Sequence, residues 1–333
     1  MSAQEYKKRL YEAVQNLLWK QWTALGIPGH VTASKSDTAL DPEALLVFSA
    51  GFARYDQRLY DLILDWLQAH SSQINIQRLK ALQAKFEWKD SASFGYMSAV
   101  VAETDPIRWK KLATEYKSDN TVSSVALFHD EDDTPEPFIP RHDAFALQYG
   151  FVRNVRYDAQ KTLTSLPRTT STLLLRMRGL LGISARAETL LVLLTTPQCK
   201  VQDIVDCSGF TWKSIQDVLM ELTLGGFVSA IDGVSRGKMY YLSEPESIRK
   251  VFGVRQGCTF PNWLNIYDSI GLLWQTISNP HMNDVSAETV RNELDRLYAD
   301  RLQKKLVTSI HPLFNKNELD LAHFPKLIST LVE

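Results

Sequence analysis

Three cysteines in 333 residues, Cys199, Cys207 and Cys258, are too few and too irregularly spaced for a disulfide framework or a paired-cysteine metal site. A reducing compartment fits that usage best, and a cytoplasmic location is expected. No stretch approaches eighteen consecutive apolar residues, so no membrane span is expected. The opening "MSAQEYKKRLYEAVQNLLWKQW" spreads charges through its apolar positions and lacks the h-region of a signal peptide. Excess charge of one sign is also missing. The 37 Lys+Arg stand against 38 Asp+Glu, so any nucleic-acid partner has to be read from local patches rather than from a global field.

Catalytic signatures are equally scarce. There is no GxGxxG, GxxxxGK[ST], HExxH or GxSxG, and the seven histidines are scattered. The "RHD" at 141 to 143 lacks the glycine loop and DFG of a kinase. The sequence reads as a non-enzyme without a cofactor or resident metal. "HDEDDTPEP" at 129 to 137 sets a histidine beside carboxylates, but without the ligand spacing and glycine of a calcium loop it reads as an exposed acidic connection and a boundary.

What is present is helical periodicity. Leu10, Val14, Leu17 and Leu18 follow Tyr6 at three-to-four spacing, and Asp41-Pro42-Glu43 opens a second helix with an N-cap and a first-turn proline. A third helix is expected from about Asp56 to Leu67 and a fourth over "IQRLKALQAKF". With Gln77, Arg78 and Lys80 turned outward, residues 41 to 90 could hold a helix-turn-helix of their own, although a plain bundle is the simpler expectation. "FPNWLNIYDSIGLLWQTIS" and "SAETVRNELDRLYADRLQKKL" predict C-terminal helices. The stripe Trp263, Ile266, Ile270, Leu273 and Trp274 suits a core or dimer interface better than a ligand pocket.

Charge turns locally basic between residues 151 and 186, where Arg153, Arg156, Lys161, Arg168, Arg176, Arg178 and Arg186 face Asp158 alone. Such a run is either a phosphate footprint or a helix that docks on acidic parts of the same chain. Beyond it, "SARAETLLVLLTT", "KVQDIVDCSG" and a helix from Thr211 to Leu224 follow in succession, the last stopped by Gly225-Gly226. On that third helix Ile215, Val218, Leu219 and Leu222 share the core side, with Trp212 at its edge. Lys213, Asp217 and Glu221 lie opposite, flanked by Ser214 and Gln216. Met220 and Leu224 point away from the domain core and are expected to pack on another domain or a second subunit. "FVSAI" and "KMYYLS" then form a hairpin tipped by Ser235, Arg236 and Lys238.

"SGFTWKSIQDVLMELTLGGFV" followed by "GVSRGKMYYL" resembles the helix-turn-helix and wing of bacterial winged-helix regulators of the arsenic-repressor and multiple-antibiotic-resistance-repressor groups. The resemblance covers about residues 182 to 250. It implies a central winged helix with a small β-hairpin wing (182–250); with the periodicity and charge read above, the whole is expected to be mainly α, with a helical N-terminal region (1–128), an acidic connection and basic linker or helix (129–181), and a helical C-terminal region (251–333). The function implied is a cytoplasmic, sequence-specific DNA-binding transcriptional regulator, a repressor acting as a homodimer on double-stranded DNA. Thr211, Trp212, Lys213, Ser214, Gln216 and Asp217 would enter a groove. Ser235, Arg236, Lys238, Lys200, Arg176, Arg178 and Arg186 would meet the backbone. Asp217 departs from the basic or neutral polar residue such regulators often carry there, and residues 187 to 250 are slightly acidic. A protein-interaction module, such as an antitoxin or defence-operon subunit, is the alternative expectation, and an effector-sensing regulator using the Trp263–Trp274 stripe is a third.

Overall fold

The computed structural model describes all residues except 30–36, 118–123, 138–142, 160–164, 234–236, 308–320 and 331–333. Helices α1 (Ala3–Ala24), α2 (Pro42–Phe52), α3 (Gln57–His70), α4 (Ile76–Lys85), α5 (Ser91–Ala102) and α6 (Pro106–Glu115) build the N-terminal body. The N-caps read from sequence form as expected: Asp41 accepts the Ala44 N–H at 3.1 Å and Asp56 the Leu59 N–H at 3.0 Å. Helix α2, "PEALLVFSAGF", is apolar on every side apart from Glu43 and Ser49 and is accordingly buried along its whole length, touching α1, α4, α5 and α13 (Trp263–Ile277).

Two short strands, β1 (Val125–Ala126) and β2 (Phe151–Val152), pair in parallel beside the four-residue α7 (Ala144–Leu147). The acidic segment between them is tied to the body rather than free. Asp133 accepts from Lys7 and from the Tyr55 hydroxyl, both at 2.6 Å, and the Glu136 N–H reaches the Phe128 carbonyl at 3.0 Å.

The chain continues through α8 (Leu173–Leu181), α9 (Ala185–Thr195), α10 (Val201–Ser208), α11 (Trp212–Leu224), the antiparallel hairpin β3 (Val228–Asp232) and β4 (Lys238–Leu242), and α12 (Pro245–Phe252). Next come α13, α14 (Ala287–Leu297), α15 (Gln303–Val307), joined to α14 by one wide helical turn over 298–302, and α16 (Phe324–Thr330), which packs on α1. One contiguous apolar core takes in residues of the N-terminal body, of α9 to α11 and of the C-terminal helices. The Trp263 to Trp274 stripe belongs to that core. Trp263 is 1% and Trp274 4% exposed, and their indole N–H groups donate to the Ala39 carbonyl and the Tyr55 hydroxyl. The stripe is therefore packed and satisfied rather than lining a ligand pocket.

A closed cluster of five charges fixes how α8 to α10 sit on the body. Arg78 donates to Asp41 and Glu43, and its Nε donates to the Ser208 carbonyl at the end of α10. Arg178 grips Glu43 with both Nη atoms, at 2.6 and 2.8 Å, and reaches Glu188 on α9 through Nε at 3.1 Å. All five side chains have no exposure. Burial alone would push the Glu43 carboxyl up, but the two guanidinium groups and the Asn75 N–H outweigh it and hold it below the ordinary value. Of the three residues expected to face outward on α4, Arg78 is thus turned inward, whereas Gln77 is exposed and Lys80 reaches Glu115 at the surface at 2.5 Å.

Candidate nucleic-acid interface

Helices α9, α10 and α11 form a compact trio, each touching the other two. Gly209 ends α10 in the left-handed region at φ +73°, and an added Cβ there would meet Leu82 at 3.0 Å, so glycine lets this turn sit tightly on the N-terminal body. Asn262 braces the same end by donating to the Asp206 carbonyl at 3.1 Å. The turn between α10 and α11 is therefore clamped from two sides. Helix α11 leaves that anchor pointing outward, and among its thirteen residues only Ile215 and Leu219 are buried.

The hairpin flanks α11 in register, Val228 opposite Leu242 through Asp232 opposite Lys238. A connection not evident in the sequence fastens it: Cys199 and Tyr240 exchange both backbone hydrogen bonds, at 3.0 and 2.8 Å. The loop before α10 thereby adds a one-residue third strand to the hairpin at the middle of β4 and brings Lys200 beside it. Cys199 is fully buried and burial pushes its thiol up to about 12; Cys207 is buried likewise, with its thiol also raised, which argues against a redox sensor at either position.

Thr211, Trp212, Lys213 and Asp217 are exposed, and Ser214 and Gln216 are half-buried. Trp212, expected at the edge of the core, is instead 52% exposed. Thr211 caps the helix, accepting the Ser214 N–H at 3.3 Å while the two hydroxyls pair at 2.9 Å. The enclosed Oε1 of Gln216 has no hydrogen-bond partner, so this side chain must swing outward before it can read a base edge. Lys238 is exposed at the hairpin's rising strand, whereas Ser235 and Arg236 lie outside the described residues.

Four cations expected to widen a phosphate footprint are engaged within the chain. Arg178 is sealed in the five-charge cluster, and Arg153, 2% exposed, makes a two-pronged contact with Asp61 at 2.7 and 2.8 Å. Neither is a surface group, so Arg178 is withdrawn from the interface. Arg176 donates to the Phe252 carbonyl at the end of α12, and Arg186 pairs with Glu221. The basic run from 151 to 186 thus serves largely to dock the chain on its own acids. Lys161 lies outside the described residues. Among the described residues, Lys213 and Lys238 are exposed cations on this face, Lys200 is half-buried beside them, and Arg186 stands at the far end of α11.

The described residues also contain no group of three or more metal-ligating side chains and no helix long and apolar enough to cross a membrane. Compared with known proteins, the chain matches no family model, no curated protein and no solved structure.

Proposed function

We propose that the chain is a DNA-binding transcriptional regulator of the winged-helix kind, a cytoplasmic repressor in which α10, its glycine turn and α11 act as the helix-turn-helix and β3–β4 as the wing. The observation that carries this reading is the exposure of α11. A thirteen-residue helix with two buried positions, held at its N-terminal end by a rigid turn and flanked by a hairpin, has the dimensions a major groove admits. Thr211, Lys213, Ser214 and Gln216 supply short donors and acceptors on its leading half. Lys200, Lys213 and Lys238 supply phosphate contacts, and the buried charge cluster holds the trio at a fixed angle to the body.

A second reading is supported by the acids of the same face. Asp217 and Glu221 lie along the outward side of α11, Asp217 exposed and Glu221 paired with Arg186. A partner protein carrying basic residues would suit that side. Selection of bound duplexes from a random library separates the two. Enrichment of a defined motif, lost in Lys213→Ala, supports DNA reading; a library that stays unenriched assigns the face to a protein.

A further inference from the structure

The last turn of α9, the end of β4 and α12 with the loop after it enclose a cleft of about 580 Å³, within the ~300 to 1,000 Å³ typical of small-molecule sites. This is a different place from the Trp263 to Trp274 stripe, which is filled. The walls are aliphatic. Leu193, Leu194, Pro197, Leu242 and Pro245 supply them, and Tyr241 is the one aromatic ring among the lining residues, so the cleft offers alkyl contact rather than a stacking platform. Of the lining residues two carry charge, Arg249 and Glu246, three positions apart on α12.

Arg249 is held from two sides. One Nη donates to the Leu194 carbonyl at 3.2 Å, tying α12 to a carbonyl in the last turn of α9, and the other meets the Glu246 carboxylate. The two contacts are unequal. Arg249 keeps only 16% of its side chain exposed and stays packed against α9, whereas the Glu246 side chain is 72% exposed, and an ion pair with one partner so far into solvent contributes little. The enclosed Nε of Arg249 has no hydrogen-bond partner, so the chain does not use all five guanidinium donors. Cys258, also on the wall, adds only a thiol, a weak acceptor. Glu246 therefore marks where a carboxylate sits on this guanidinium without being firmly held there. A ligand whose carboxylate takes that place gains, through an apolar body in the cleft, a burial that Glu246 does not have.

We propose that this cleft binds a medium-chain aliphatic carboxylate, its alkyl chain against Leu193, Leu194 and Leu242 and its carboxylate replacing Glu246 on Arg249. Glu246 swings into solvent as it is displaced. The site does not depend on what α11 reads, because none of the groove-reading residues lines it.

Isothermal titration calorimetry of the full chain with octanoate tests it. Octanoate is expected to bind at one site with a dissociation constant of about 1 mM or tighter, the range open to a ligand of about ten non-hydrogen atoms. Octanol, which keeps the chain, and acetate and inorganic phosphate, which keep only the charge, should each bind at least about tenfold more weakly. Arg249→Gln should lose at least about tenfold with an unchanged far-UV circular dichroism spectrum. Glu246→Gln, at an exposed position, should bind about two- to fivefold more tightly, because a competing carboxylate is gone. Octanoate that fails to bind at ~10 mM overturns the proposal. So does an affinity for octanol or phosphate equal to that for octanoate, or a wild-type affinity in either variant.

Discussion

Arg178→Met separates a surface role for this arginine from a buried one. The substitution keeps much of the side-chain volume and removes the guanidinium that donates to Glu43, to Glu188 and to the Gln73 carbonyl. Glu43 retains Arg78 and the Asn75 N–H, but Glu188 loses its ion-pair partner, and one of its oxygens has no hydrogen-bond partner even in the intact protein. Breaking a buried pair in this way costs about 3 to 5 kcal/mol, because a charge is left desolvated and uncompensated. With a urea m-value of about 3 kcal/mol/M, the denaturation midpoint should fall by roughly 1 to 1.7 M. The matching control is Arg186→Ala. Its ion pair is about half exposed, so the loss should stay within about 1 kcal/mol and the midpoint should move by less than roughly 0.4 M. Urea titrations followed by far-UV circular dichroism give both numbers. A normal midpoint for Arg178→Met, combined with weakened DNA binding, would place Arg178 on the surface and refute the cluster.

Two further outcomes follow from the same packing. Glu43 is held below its ordinary value of 4.5 in the folded chain, so its contribution to stability is complete above that pH and is lost as the pH falls through the depressed folded value; urea midpoints at pH 7 and pH 4 should therefore differ, and Glu43→Gln should be the less stable protein at pH 7. Trp88 is wedged between two glycines, and a Cβ at Gly51 would stand 2.4 Å from its ring. Gly51→Ala should cost about 1 to 3 kcal/mol by overpacking, visible as a lower thermal midpoint, and an unaltered midpoint would show that the ring can retreat.

The sequence makes the elements at the candidate site legible because they are specified locally. Ser184, Thr211 and Ser286 each cap a helix through a hydroxyl, Pro42 starts one, and the glycines at 209 and 226 take positive φ where helices end. The wheel of α11 placed Ile215 and Leu219 inside and Met220 and Leu224 outside, as found. What could not be read is set by long-range pairing. Whether Arg153, Arg178 and Arg78 face solvent depends on carboxylates 92, 135 and 37 positions away, and no local pattern encodes such partners. The third strand at Cys199 is one residue long, too short for any periodicity. Leu180, Phe227 and Val251 come to line one hollow only when α8, the turn after α11 and α12 are brought together.

The account's central claim is that α11 and the hairpin read DNA, and fluorescence anisotropy tests it most directly. The full chain is titrated into duplex from upstream of its own gene and into a scrambled duplex of equal composition, across a range of salt concentrations. With Lys200, Lys213 and Lys238 as the proposed phosphate contacts and Arg178 and Arg153 withdrawn, log K should fall with log salt at a slope of about −3 per copy rather than the roughly −6 of a fully basic footprint, and the preference for the upstream duplex should survive physiological salt. Equal affinity for both duplexes, or no binding, would contradict the account and assign α11 to a protein partner.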